Sequence, residues 1–146
     1  TIGVHEIAHQ WWYSLVGNDQ ALEPWLDESL ATYSERIYFE NKHSGNVSWW
    51  WQFRVNYFNP GGYVDTNIYN GGNFRDYTDA VYFNGATFLE DLRVRIGDQA
   101  FFAFLKDYAG QMSYRRATSD DFFRILRDHA TKDISDLIAA YFAEGH

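Results

Sequence analysis

The sequence of 146 residues is 46% hydrophobic and 20% aromatic, enough for one domain whose core sets ring against ring, and too apolar for a disordered chain. A net charge of −8 argues against nucleic acid as a partner, which would need clustered Lys and Arg. No run approaches the roughly 18 uninterrupted apolar residues of a membrane span, and with no cysteine any metal must be held by nitrogen and oxygen ligands.

Taken in chain order, the elements are nearly all helical, so the fold class reads as mainly α. Ile2 to about Val16 forms a first helix and "GNDQALE" a loop, after which Pro24, suited to a first turn, opens a second helix to His43. A third runs from Val47 to Phe58 with Ser48 as a candidate cap. The stretch Asn59 to Asp79, rich in Gly, Asn and Asp with interleaved tyrosines, reads as an ordered loop or lid. Asp79 to Ile96 is a helix closed by Gly97, and Asp98 to Tyr108 is another before Gly110. Thr118 and Asp121 form a capping-box start for a helix to about Ala130, and a last helix covers Ile134 to Ala143.

The segment "VHEIAHQWW" carries the first chemistry. On a helix, residues four apart project within about 40° of each other, so His5 and His9 can present two imidazoles to one ion. Glu6 lies roughly 60° from His9, beside the ion and within reach of its water. By itself this motif is equally compatible with a His and Glu pair on a surface turn.

The next helix supplies what a zinc hydrolase lacks here, a third ligand. Glu28 follows His9 after eighteen residues, room for a loop and an antiparallel return. Glu35, two turns further on the same face, is placed either to accept a hydrogen bond from the distal nitrogen of a ligand histidine or to pair with Arg36 or Lys42. Asp27 points about 100° away and reads as a first-turn acid favoured by the helix dipole.

These residues, in "HEIAHQWWYSLVGNDQALEPWLDESLATYSE", closely resemble the zinc-binding segment of the membrane alanyl aminopeptidase family, with its HExxHQWW, eighteen-residue gap and W-L-[ND]-E tetrad. The later "VYFNGATFLEDLRVRIGDQAFFAFLKDYAGQMSYRRATSDDFF" is similar to the family's next landmark, so the likeness covers Val4 to Phe123. It implies the helical half of a thermolysin-like (gluzincin) catalytic domain and a zinc peptidase that removes N-terminal residues from peptide substrates. Carried over by position, it makes His5, His9 and Glu28 ligands of one Zn2+, Glu6 the general base, and Tyr82 the residue whose hydroxyl steadies the oxyanion. Spacing alone puts Tyr82 on the apolar stripe Tyr82, Gly85, Ala86, Leu89, Leu92, Ile96 and would make it a core residue.

The sequence departs from the family at "YFNG", where Phe83 and Asn84 replace a charged pair, and it does not contain the G-x-M-E-N amine-binding motif that precedes the HExxH helix in the family. Residues 1–146 are therefore expected to be the C-terminal helical portion of the catalytic domain, without an upstream β-rich part. Such a portion is expected to bind zinc, to turn over aminoacyl amides poorly, and to self-associate through uncovered apolar surface. The Asn59 to Asp79 loop should border the zinc cleft. Three other readings stay open: a zinc endopeptidase on the same site, a non-catalytic zinc-retaining scaffold, and a helical domain whose tryptophans form a partner surface.

Overall fold

The first helix is about half as long as its sequence spacing implies. In the computed structural model, which describes residues 1–70 and 72–146, α1 runs Ile2–Ala8. The His9 ring then claims the Trp12 carbonyl (Nδ1 to O, 3.1 Å), and Tyr13 takes a positive φ of 124° that no helix can continue. The chain turns into a two-residue strand, β1 (Val16–Gly17), which pairs in parallel with β2 (Arg115–Arg116).

The helix α2 (Trp25–Lys42) is the axis of the molecule, with Pro24 at its N-cap. It packs against α1 on one side and, on the other, against the Tyr82 region and the helix Gly85–Ile96. Trp25, Leu26, Leu30, Ala31 and Tyr33 are buried along it, as burial on both sides requires.

The third helix is not uniform. A 3₁₀ turn (Ser44–Asn46) leads into α3 (Val47–Trp50), which continues as a π-helical turn over Trp51–Val55 and a 3₁₀ turn over Asn56–Phe58. Asn46, not Ser48, occupies the cap position of α3. The reason for the change of winding is in the burial: Trp50 and Val55 are both fully buried. An α-helix would hold residues five apart at about 140°, whereas a wider turn closing on the fifth residue returns them to one face.

The expected loop holds a short helix, α4 (Phe74–Thr78), because Asn73 caps it by accepting from the Arg75 and Asp76 amides. Residue 71 of that stretch lies outside the described residues. What the periodicity gives as one helix from Asp79 is a π-helical turn (Asp79–Asn84) followed by α5 (Gly85–Ile96), closed by Gly97 at φ 85°. The helix α6 (Asp98–Met112) passes through Gly110 instead of ending at Tyr108, since Met112 is buried and extends the apolar stripe by a turn. Thr118 and Asp121 form the capping box of α7 (Ser119–His129), and α8 (Ser135–Tyr141) closes the chain.

Ring contacts fill the core. The Trp25 ring meets Phe122 at 4.8 Å and Phe142 at 5.0 Å, both edge to face, and Phe104 meets Phe122 at 4.9 Å. Its indole N–H donates to Ser119 Oγ at 3.0 Å, so no polar atom of the buried ring is wasted. Trp12, Trp25 and Trp50 are buried while Trp11 and Trp49 stay exposed, so the tryptophans form no common surface. Among the described residues no helix is long and apolar enough to cross a membrane.

Candidate metal centre

Helix α1 delivers His5 and His9 one turn apart, and the antiparallel approach of α2 brings its first turn against them. His5 Nε2 lies 3.0 Å from Glu28 Oε2, His9 Nε2 lies 3.2 Å from His5 Nε2, and His9 Nε2 lies 3.5 Å from Glu28 Oε2. The structure thus brings the three sequence-derived ligand candidates to one point, and they form the one such group of metal-ligating side chains among the described residues.

The donor set fits zinc on its own chemistry. Bonds of about 2.0–2.1 Å in a tetrahedral site separate neighbouring ligand atoms by about 3.3 Å, the spacing these three atoms hold. The far nitrogens are also turned to acceptors. His9 Nδ1 donates to the Trp12 carbonyl at 3.1 Å, and His5 Nδ1 stands 3.3 Å from Glu35 Oε1 in an oblique contact short of an aligned hydrogen bond. With each proton on Nδ1, both Nε2 lone pairs and the Glu28 oxygen face one another, an arrangement that only a cation or a proton between them stabilises.

Glu35 is fully buried and takes its charge balance from another element. Arg54 donates to it through Nε and Nη2 at 3.0 and 2.9 Å, and the Trp50 indole N–H donates at 2.9 Å. Of the two roles the sequence leaves open for Glu35, the ion pair goes to Arg54 while Arg36 turns to Glu40 and Glu90. Trp50 and Arg54 were not legible as partners, because nothing in the local sequence ties residues 15 and 19 positions away to a particular carboxylate.

Asp27 has a second role that the sequence did not show. It does stand in the first turn of α2, and it is also fully buried, accepting from the Asn18 and Gln20 side-chain amides at 3.0 and 2.9 Å, which fixes the loop that returns to α2. Burial raises its pKa, those amides notwithstanding.

The electrostatics record an anionic pocket. Burial alone would lower the pKa of His5, but Glu28 and Glu35 outweigh it and raise it to about 9. His9 is raised as well, first by Glu28. Burial would raise the two glutamates, yet contact with His5, supported by His9 at Glu28 and by Arg54 at Glu35, holds both at about 2. The pocket therefore favours positive charge at the point the ligand atoms share.

Tyr82 lies on the π-helical turn, half-buried, its ring stacked on His5 at 5.8 Å with planes 10° apart. Burial and then the Glu28 carboxylate raise the pKa of its hydroxyl, so it stays protonated. Tyr77, from the end of the expected lid, meets Tyr82 edge-on at 6.1 Å, and burial with Glu28 and Asp27 pushes it up to about 12. Glu6 stands exposed on α1 next to His5, with no side-chain hydrogen bond among the described residues.

Residues 1–141 match the family model described as the peptidase family M1 domain. Among curated proteins, the chain is 25% identical to probable aminopeptidase 2 of Sulfurisphaera tokodaii, over 94% of this chain and 19% of that protein. It is 28% identical to endoplasmic reticulum aminopeptidase 1 of Homo sapiens, over 80% of this chain and 13% of that protein. The fold resembles that of an M1 zinc metallopeptidase mutant from Deinococcus radiodurans bound to a Tyr-Ser-Ala substrate, with a TM-score of 0.74 and 22% identity over 96% of this chain and 32% of the other. The chain thus spans less than a fifth of the length of these curated relatives. Since the family model runs from Thr1 almost to the C-terminal end of the sequence, the chain belongs to peptidase family M1.

Proposed function

We propose that this chain carries the zinc site of a metallopeptidase that removes N-terminal residues from peptides. The observation that carries the reading is the convergence of His5, His9 and Glu28 at zinc-ligand spacing with the Tyr82 ring stacked on His5. The aminopeptidase names of the relatives and the tripeptide on the Deinococcus radiodurans protein support the substrate class.

His5, His9 and Glu28 would hold the zinc, which when bound would supply Lewis acidity toward a water and the scissile carbonyl. Glu6, exposed beside His5 and unengaged by any described residue, is free to take a proton from the attacking water and pass it to the leaving amine. Tyr82 keeps its proton and donates a hydrogen bond to the carbonyl oxygen as negative charge builds there. Glu35, anchored by Arg54 and Trp50, keeps the His5 ring turned so that Nε2 faces the ligand point.

The test is zinc content and turnover of an aminoacyl anilide by the intact protein, beside its Glu6→Gln variant. The variant is expected to keep one zinc and to lose turnover by about 10²- to 10⁴-fold. A wild-type protein that takes up no zinc, or a Glu6→Gln variant at full rate, overturns the reading.

A further inference from the structure

The turn that carries Tyr82 and the turn that carries Glu28 are joined at one point. Ser29, fully buried and next to Glu28, donates its hydroxyl to the Val81 carbonyl at 2.6 Å. That carbonyl belongs to the π-helical turn Asp79–Asn84, one residue before Tyr82. A hydroxyl set against a helix carbonyl is one of the identifiable causes of a local change in winding, and single π turns concentrate at functional sites.

Space for the hydroxyl comes from Gly85. A Cβ built there would stand 2.0 Å from Ser29 Oγ and 2.7 Å from Ser29 Cβ, below the 3.0 Å that real Cβ contacts respect. Gly85 has an ordinary helical conformation, φ −60° and ψ −41°. What requires glycine at this position is the approach of α2, not the backbone angles. The helices α2 and α5 are therefore pressed together at Ser29 and Gly85, with Val81 and Tyr82 immediately before the contact.

We propose that Ser29 is a positioning residue for Tyr82: bonded to Val81 and seated in the space left by Gly85, it holds the Tyr82 hydroxyl in register with Glu28. This rests on the peptidase reading above and adds a residue to it. Ser29 itself touches neither the ligand point nor substrate. Its side chain is committed to α5's approach, and its effect passes through the backbone of residue 81 to the ring of residue 82.

The experiment combines Ser29→Ala, Tyr82→Phe and the double variant in the zinc-loaded protein, with kcat and KM on an aminoacyl anilide. Two readouts besides activity accompany it: the visible spectrum of the cobalt-substituted protein and hydrogen exchange at the amides of residues 79–85. Ser29→Ala is expected to lower kcat at least tenfold, since displacement by about 1 Å can cost on the order of 100-fold. KM and the cobalt spectrum should stay unchanged, exchange at 79–85 should quicken, and the loss added on top of Tyr82→Phe should be under twofold. Gly85→Ala, which displaces the hydroxyl without deleting it, should reproduce the loss in kcat. Losses that multiply in the double variant, or a Gly85→Ala variant with full kcat, overturn the proposal alone. Full kcat in Tyr82→Phe overturns the role of Tyr82 beneath it. Should Ser29→Ala fail to fold, Ser29→Cys keeps the volume with a weaker donor, and full kcat in that variant likewise overturns the proposal.

Discussion

The two clusters that α2 carries are held together in opposite ways. Around Trp25, the rings of Phe88, Phe122, Phe123 and Phe142 approach at 6.5, 4.8, 5.9 and 5.0 Å with planes from 37° to 82° apart. Around Glu35, three aligned donors from two residues converge on one carboxylate. Burial of apolar area is non-directional, so the first cluster shares its stabilisation among many contacts. A buried charge depends on particular atoms, so the second fails when one of them is lost. The aromatic cluster is therefore expected to set how stable the fold is, and the charged cluster to act on the His5 ring, as proposed above for Glu35.

The largest effect is expected at Phe122. Phe122→Ala should cost about 3–5 kcal/mol of stability, read by urea unfolding, while the protein that remains folded binds zinc with unchanged stoichiometry. A variant that lost zinc and kept its stability would reverse the roles assigned to the two clusters. Arg54→Ala should cost about 2–3 kcal/mol, discounted from a fully buried pair because Arg54 is partly exposed, and should do so by stranding the Glu35 charge. In that case Arg54→Ala with Glu35→Gln must be more stable than Arg54→Ala alone in the same unfolding assay.

Sharper still is Glu35→Gln by itself. Removing the carboxylate that faces His5 Nδ1 should weaken zinc by about 10- to 100-fold, measured by chelator competition, with a much smaller effect on the unfolding midpoint. The pH dependence of zinc uptake follows from the same contacts. In the metal-free protein His5 keeps its proton up to about pH 9, because Glu28 and Glu35 prevail over burial. A cation taking Nε2 must expel that proton, so apparent affinity should rise about tenfold per pH unit between roughly 7 and 9 and then level off. Calorimetry at pH 7 in buffers of different ionisation enthalpy should detect about one proton released by His5. For the metal-free fold, the stability that His5 gains from its carboxylates is complete below its ordinary value of 6.5 and is lost as pH rises through about 9. The smallest effect belongs outside both clusters: Gly97→Ala, at φ 85° with open space around it, should cost about 1 kcal/mol in thermal unfolding through backbone strain alone.

What the sequence made legible depended on how local the physics was. The helical class, the Gly97 stop and the Thr118 capping box rest on interactions within a few residues, and the structure has them all. The spacing of His5, His9 and Glu28 was legible because the positions share one turn and one return of the chain. The changes of winding were not, because they answer to distant demands: Trp50 and Val55 buried together, and Ser29 set against Val81 across 52 residues. Asp27 stands in the first turn of α2 as its position in the sequence implies, but its burial was not legible, for a related reason. Its amide partners lie in a loop whose path is fixed partly by the pairing of Gly17 with Arg116, a contact that no local pattern announces.

The docking of α1 on α2 would tie metal capture to folding. The approach of His5 and His9 to Glu28 exists only where α1 (Ile2–Ala8) packs against α2. Whatever bridges the histidines to Glu28 therefore closes a chain segment of 23 residues as well as filling a site. By linkage, an ion bound only in the docked state strengthens docking by as much as docking strengthens the ion. Undocking of α1 from α2 and dissociation of a metal held by the three residues would then be one equilibrium seen from two sides, and amide exchange in residues 2–8 should slow with zinc concentration along the same curve as zinc binding itself.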